Sequence, residues 1–329
     1  MSYNSKYFNK KNSFLHGIMF HHFHDQIKHK KQQGSISKND FRKIINYIGR
    51  DNIINAEEFK DAILKKKQLN NKVCFTFDDS LKCQFDVAVP VLDEYEIKSF
   101  FFIYSSLYDN KPDMLEVYRY FRMNSFKSID VFYKSFYKIF TEIINYFNLK
   151  NYEKKFQKQL INYKKKSPYL SYNDIKFRIT RDYILKNDDY AKIMLLMFKR
   201  YNFDYRPIMK KLYLTKSNLN VLKKNGHIIG MHSHNHPTIL NQLSYKKQLI
   251  EYKTNKKFIK NILGIDKVDT MSHPNGSYNM NTLEILKDLK VVIGFKPSML
   301  LDGNIKNINN TNLEIARENH SIITKRLKK

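Results

Sequence analysis

Asp78 and Asp79 stand side by side at the end of Val73-Cys74-Phe75-Thr76-Phe77, a run with the character of a buried strand. A carboxylate is costly to desolvate, so acids seldom close an apolar strand without a partner. Two in succession repel each other unless a cation or a shared proton relieves them. The ordinary alternative is that one Asp caps the next helix and the other faces water. Much further along, His232 and His236 follow a second apolar run, within His232-Ser233-His234-Asn235-His236. On a helical turn that spacing puts both imidazoles on one side, able to hold one cation through nitrogen. The carboxylate missing from that neighbourhood is supplied most simply by Asp79. Two imidazoles, a carboxylate and water at an open position describe a catalytic site better than a closed structural one. Zinc is the first expectation, and iron, cobalt, nickel or manganese suit the same donors.

The elements that must position these residues alternate between strand and helix. Ile18-Met19-Phe20 reads as a first strand opening into His21-His22-Phe23-His24-Asp25, with His29 beyond. Ser37 with Asp40 is a helix start before Phe41, Ile44, Ile45 and Ile48, and Gly49 is its stop. Asn55 with Glu58 repeats the start signal. The two aspartates come next, then an amphipathic segment from Cys83 to Tyr95 interrupted by Pro90, and a strand from Ser99 to Tyr104. From Ser106 to Thr215 the chain is dense in Tyr, Phe and Lys and reads as helices, with its aromatic residues forming a core. The alternation then resumes, with strands expected over His227 to Met231, Val268 to Met271 and Val291 to Phe295. Ser244 to Leu263 is a helix closed by Gly264, and Leu313 to Ala316 is a last extended piece leading to Arg317-Glu318-Asn319-His320. Such units imply parallel strands joined by right-handed crossovers. In this reading the residues with chemical potential follow strands and never precede them.

The composition is that of a folded protein, with 42% hydrophobic residues and only 9 Gly and 7 Pro. A formal charge of +28 suggests anionic partners. The basic residues are mostly Lys spread along the whole chain, which argues against nucleic acid and leaves an anionic substrate or a peripheral contact with an anionic membrane open. Cys74 and Cys83 form no CxxC pattern and read as reduced, packed thiols. The polar stretch Met1 to Asn12 lacks the apolar core of a secretory signal, and no run approaches membrane-spanning length, so a soluble cytoplasmic protein is expected.

Thr76-Phe77-Asp78-Asp79, His232-Ser233-His234-Asn235-His236 and Pro274-Asn275-Gly276 resemble, in order, the first three motifs of NodB-like polysaccharide deacetylases, carbohydrate esterase family 4. The resemblance covers residues 16–106 and 215–320. It implies a distorted (β/α)7 barrel, here carrying a large helical insertion: residues 1–106 as the first part of the barrel, 107–215 as the insertion and 216–329 as the second part. It also implies one divalent metal held by Asp79, His232 and His236, with Asp78 as general base. A general acid is required for an amide leaving group. Ile18-Met19-Phe20-His21 resembles a pattern of permuted biofilm-polysaccharide deacetylases, which points to His21, with His24 and His320 as alternatives and His22 and His29 as structural or surface histidines. The third motif departs from the family. Ser272-His273-Pro274-Asn275-Gly276 lacks the Arg that steadies the catalytic Asp, so Arg317 is expected to replace it, and the backbone N–H of Asn275 is expected to stabilise the oxyanion. The aromatic wall of that motif is missing and the Asp-rich fourth motif is not identifiable. The expected substrate is an N-acylated sugar, a nucleotide-sugar or a surface-polysaccharide precursor. A deformylase or O-deacetylase on the same scaffold, and an inactive carbohydrate-binding protein, are the alternatives.

Overall fold

Short, largely apolar runs, and one polar segment near the C-terminus, become the strands of a parallel sheet, whose two covered faces favour continuous rather than alternating hydrophobicity. They are β1 (His16–Phe20), β2 (Val73–Phe77), β3 (Phe100–Ile103), β4 (Ile228–Met231), β5 (Thr270–Ser272), β6 (Ile293–Phe295) and β7 (Arg317–Asn319). The computed structural model describes residues 5–9, 12–143, 153–161, 171–185, 187–297 and 309–328. Residues 1–4, 10 and 11 of the polar N-terminal stretch lie outside them. All pairings are parallel, in the order β6-β5-β4-β3-β2-β1-β7.

The sheet curls into a nearly closed barrel with helices around it. The chain before β7 bridges the two edges: Gly294 donates to the Asn312 carbonyl and Lys296 to that of Ile315, while Gly17 of β1 donates to Ala316. Phe295 of β6 lies 5.3 Å from Phe100 and 5.5 Å from Phe102 of β3, strands that are not neighbours, so these rings fill the inside. Phe59 and Ala62 of the helix Ala56–Leu64 join that cluster. The alternate residues Phe75, Phe77, Phe101 and Ile103 pack outward with Phe41, Ile44, Ile45 and Ile48.

Local signals act as their chemistry requires, with four corrections. Ser37 and Asp40 make a full capping box on Lys38–Ile48, and Ser244 and Gly264 bound Tyr245–Leu263. Asn55, by contrast, gives its helix no side-chain cap, because its Oδ1 accepts the Lys98 N–H entering β3 at 2.7 Å. Pro90 does not interrupt a helix. It sits in the first turn of Val89–Glu94, where its missing N–H is tolerated, after a wide turn over Gln84–Ala88. Arg317 begins β7 rather than following a strand, since it is this residue that pairs with Gly17. The strand expected over Val268–Met271 starts only at Thr270, because the Asp269 carbonyl is taken by the N–H groups of Val292 and Ile293.

The chain divides into two compact units, residues 1–113 with 209–329, and residues 114–208. The first holds the barrel. Helices in the second include Met114–Asn124, Ile129–Ile143, Tyr172–Ile179 and Asn187–Arg200. Phe121, Phe132, Phe136 and Phe177 are all buried there, and Phe136 meets Phe177 edge to face at 5.0 Å, so these rings are core, whereas Tyr172, Tyr183 and Tyr201 are exposed. Among the described residues no helix is long and apolar enough to cross a membrane.

Candidate active site

The C-terminal ends of β1, β2, β4 and β5 supply the site. Asp79 leaves β2 with φ 73°, Ser80 follows at 58°, Ser233 at 66° and His236 at 55° in the loop after β4, and Asn275 at 51° after β5. Left-handed backbone at residues other than glycine is costly and persists only where surrounding bonds impose it. Here Ser80 Oγ accepts the Tyr104 N–H at 3.2 Å and Ser233 Oγ accepts the His236 N–H at 3.1 Å.

Nε2 of His232 and Nε2 of His236 each lie 3.3 Å from Asp79 Oδ1. The other nitrogen of each ring is engaged elsewhere: His232 Nδ1 faces the Ser272 carbonyl at 2.8 Å and His236 Nδ1 faces Asp113 Oδ2 at 2.9 Å. Both Nε2 atoms are thereby committed to the same small volume, where one ligand atom from each of Asp79, His232 and His236 lies within 4.8 Å of the others. Nitrogen and oxygen donors that share one small cation sit about 3 Å apart, so the donor set fits a divalent metal. Burial opposes charge on His236, yet hydrogen bonds to Asp113 and Asp79 push it up to about 10. Burial also opposes ionisation of Asp79, but His21 and the bonds from His232 and His236 hold it well below its ordinary value.

Asp78 points to the opposite partner. Arg317 Nη1 donates to its Oδ1 and Nη2 to its Oδ2, both at 2.8 Å, and Ser272 Oγ donates to Oδ2 at 3.2 Å. Arg317 is held in turn by the Lys296 carbonyl at 3.0 Å and Thr76 Oγ1 at 3.1 Å. Burial works to raise Asp78, and the Arg317 charge overcomes it, so the carboxyl sits below its ordinary value.

His21 Nε2 lies 3.7 Å from Asp79 Oδ2, with the side chain 26% exposed. Burial lowers its pKa, against the pull of Asp79 and Asp78. The alternatives for the acid are placed elsewhere. His24 Nδ1 bonds Ser35 Oγ at 2.9 Å. His320 is buried and stacked on Phe20, its two nitrogens facing the carbonyls of Met19 and Gly34 at 3.2 and 3.1 Å, which makes it a strap between segments. His29 pairs with Asp86 at 2.9 Å. Asn275 is exposed in the turn after β5, and the bonds closing that turn run from Gly276 to His273 and from Ser277 to Pro274 rather than from Asn275.

Three supporting residues escaped the sequence reading. Glu251 accepts the N–H groups of His234 and Asn235 at 2.9 and 2.7 Å, and Asn255 Oδ1 accepts that of His232 at 3.1 Å. Both lie on the buried face of Tyr245–Leu263, where polar residues at helical spacing among Tyr252, Ile259 and Leu263 were the available signal. Asp113, in a loop, carried none.

A parallel barrel thus carries at its C-terminal rim an Asp–His–His cluster able to hold a cation, beside a buried Asp–Arg pair. The chain belongs to the polysaccharide deacetylase family, whose model matches residues 65–123 and 162–294. The family reaction is the hydrolytic deacetylation of a carbohydrate. The Streptococcus pyogenes deacetylase PplD, solved in complex with acetate, has a similar fold, with a TM-score of 0.52, 16% identity, and 94% of this chain and 92% of that one covered. IcaB from Ammonifex degensii gives 0.51 and 12%, covering 93% and 91%. The BpsB deacetylase domain from Bordetella bronchiseptica gives 0.50 and 13%, covering 94% and 96%. At such identities the likeness is one of fold. No curated protein sequence gives a significant match.

Proposed function

We propose that the protein is a divalent-metal-dependent hydrolase that removes an N-acetyl or similar acyl group from an amino sugar, in a nucleotide- or lipid-linked precursor of surface polysaccharide. The observation that supports this most is the convergence of His232 and His236 Nε2 on Asp79 Oδ1, 3.3 Å from each, beside a second carboxylate that Arg317 keeps ionised. Zinc is the first candidate for the cation, which when bound supplies Lewis acidity towards water and the acyl carbonyl.

The chain's own groups divide the remaining work. A carboxylate has about four acceptor positions, and Arg317 and Ser272 occupy three on Asp78, so Oδ1 keeps one for a proton leaving water. His21 Nε2, 3.7 Å from the second Asp79 oxygen, Oδ2, donates a proton to the leaving nitrogen. The Asn275 N–H, free of the bonds that close its turn, stabilises the oxyanion. The close engagement of Asp78 also favours a second reading, in which His21 carries the proton in both directions and Asp78 acts only as a fixed negative charge.

Metal analysis of the parent, Asp79→Ala and His232→Ala proteins tests the site. About one equivalent is expected in the parent and none in either variant. A parent that takes up no metal on reconstitution overturns the reading. Asp78→Asn keeps its metal and loses turnover if Asp78 is the base, whereas turnover within tenfold of the parent selects the second reading. A panel of N-acetylated nucleotide-sugars tests the substrate, and activity confined to long polymers excludes the precursor.

A further inference from the structure

We propose that Asp113 is a positioning residue for the cation site, holding His236 through its Nδ1–H so that its Nε2 is directed at the volume it shares with Asp79 and His232. This rests on the cation site proposed above. The carboxylate accepts the Nδ1–H at 2.9 Å, with the two side chains only 7% and 12% exposed.

The two imidazoles are oriented by different means. His232 is fixed by a main-chain carbonyl, that of Ser272, so its orientation belongs to β5. His236 is fixed by a side chain that carries a charge. A carboxylate acceptor behind a ligating imidazole fixes the tautomer and makes the ring a better donor. It also brings a second negative charge to a site whose direct ligands include only one carboxylate, which matches a divalent cation more closely.

Asp113 is itself immobilised, and by bonds that do not use its carboxylate. Its N–H donates to the Tyr104 hydroxyl and its carbonyl accepts from the Tyr213 hydroxyl, each at 3.0 Å. The Tyr104 ring stacks on His236 with centroids 5.3 Å apart, so ring and carboxylate are set by one residue. A loop anchor alone needs only the main-chain bonds. The carboxylate buried against an imidazole is what an orienting role adds.

The test uses metal-stripped parent, Asp113→Asn and Asp113→Ala proteins, titrated with Zn2+ against a competing chelator and with Co2+ by visible absorption. Asp113→Ala is expected to bind on the order of 10–100-fold more weakly, with a changed Co2+ spectrum. Asp113→Asn, whose amide oxygen still accepts the Nδ1–H, falls between. Affinities and Co2+ spectra equal to the parent's in both variants overturn the proposal, and if Asp113→Ala fails to fold, the isosteric Asp113→Asn decides. In 15N-histidine-labelled metal-free protein, His236 is expected to show a protected Nδ1–H that Asp113→Ala loses. A parent that takes up no cation defeats the cation site, and that resonance still decides the bond between Asp113 and His236.

Discussion

Arg317 and Asp78 form an ion pair with side chains 0% and 3% exposed. Removing one member of such a pair leaves a buried charge uncompensated and costs about 3–5 kcal/mol. Arg317→Met is therefore expected to lower the unfolding free energy by about that amount at neutral pH, read by urea titration. The pH dependence follows from the direction of the shift. Asp78 is held below its ordinary value of 3.8 in the folded protein, so the pair's stability is present above that value and lost as pH falls through the folded one. Without the guanidinium the largest influence opposing burial is lost and only the weaker pull of His232 and His21 remains, so Asp78 rises and the acid limb of kcat/KM moves to higher pH in Arg317→Met. An unmoved limb would show that Asp78 protonation does not set it. The metal-type trio and Asp78 were legible in the sequence because each sits beside its strand in a compact pattern. Glu251, Asn255 and Asp113 were not, since each acts across 16 or more positions on a main-chain N–H or ring nitrogen.

The strand that admits Arg317 has a requirement of its own. A Cβ at Gly17 of β1 would lie 3.0 Å from Arg317 Cγ and 3.2 Å from the Phe295 ring. Gly17 is thus the gap through which a guanidinium threads the aromatic interior to reach the rim. Overpacking of this kind costs about 1–3 kcal/mol. Gly17→Ala is expected to keep the cation, lose about that stability, and move the acid limb in the same direction as Arg317→Met by a smaller amount. A destabilised protein with an unmoved limb would separate barrel packing from support of Asp78. The strands β1 to β6 were legible from apolar runs, while strand ends were not, and the polar β7 was displaced from the expected Leu313–Ala316. Whether residue 270 or 268 opens β5 depends on which carbonyl the neighbouring strand uses, and that partner is remote in sequence. Asn55 shows the same limit: a helix-start residue is drawn off by the N–H of Lys98.

At the scale of the whole chain, every residue assigned to the chemistry lies in one unit. Asp79, His232, His236, Asp78, Arg317, His21 and Asp113 all fall within residues 1–113 and 209–329. The chain leaves this unit immediately after Asp113, which orients His236, and on its return Leu81 bridges Tyr213 while Leu214 N–H donates to the Ser80 carbonyl at 2.8 Å, next to Asp79. The Tyr213 hydroxyl ties the two ends directly to each other at the Asp113 carbonyl. Closing the excursion therefore asks only for a short connection between points already held together, and the entropy of that loop changes slowly with its length. A protein in which a Gly/Ser linker replaces residues 115–207 is expected to fold, to bind Zn2+ with the parent's affinity and to keep the Co2+ spectrum. If it does so and has lost turnover of the sugar substrate, the helical unit acts in holding that substrate. If it folds without taking up the cation, residues 114–208 are needed to set the loops after Asp113 and before Tyr213, and the site is not a property of the barrel alone.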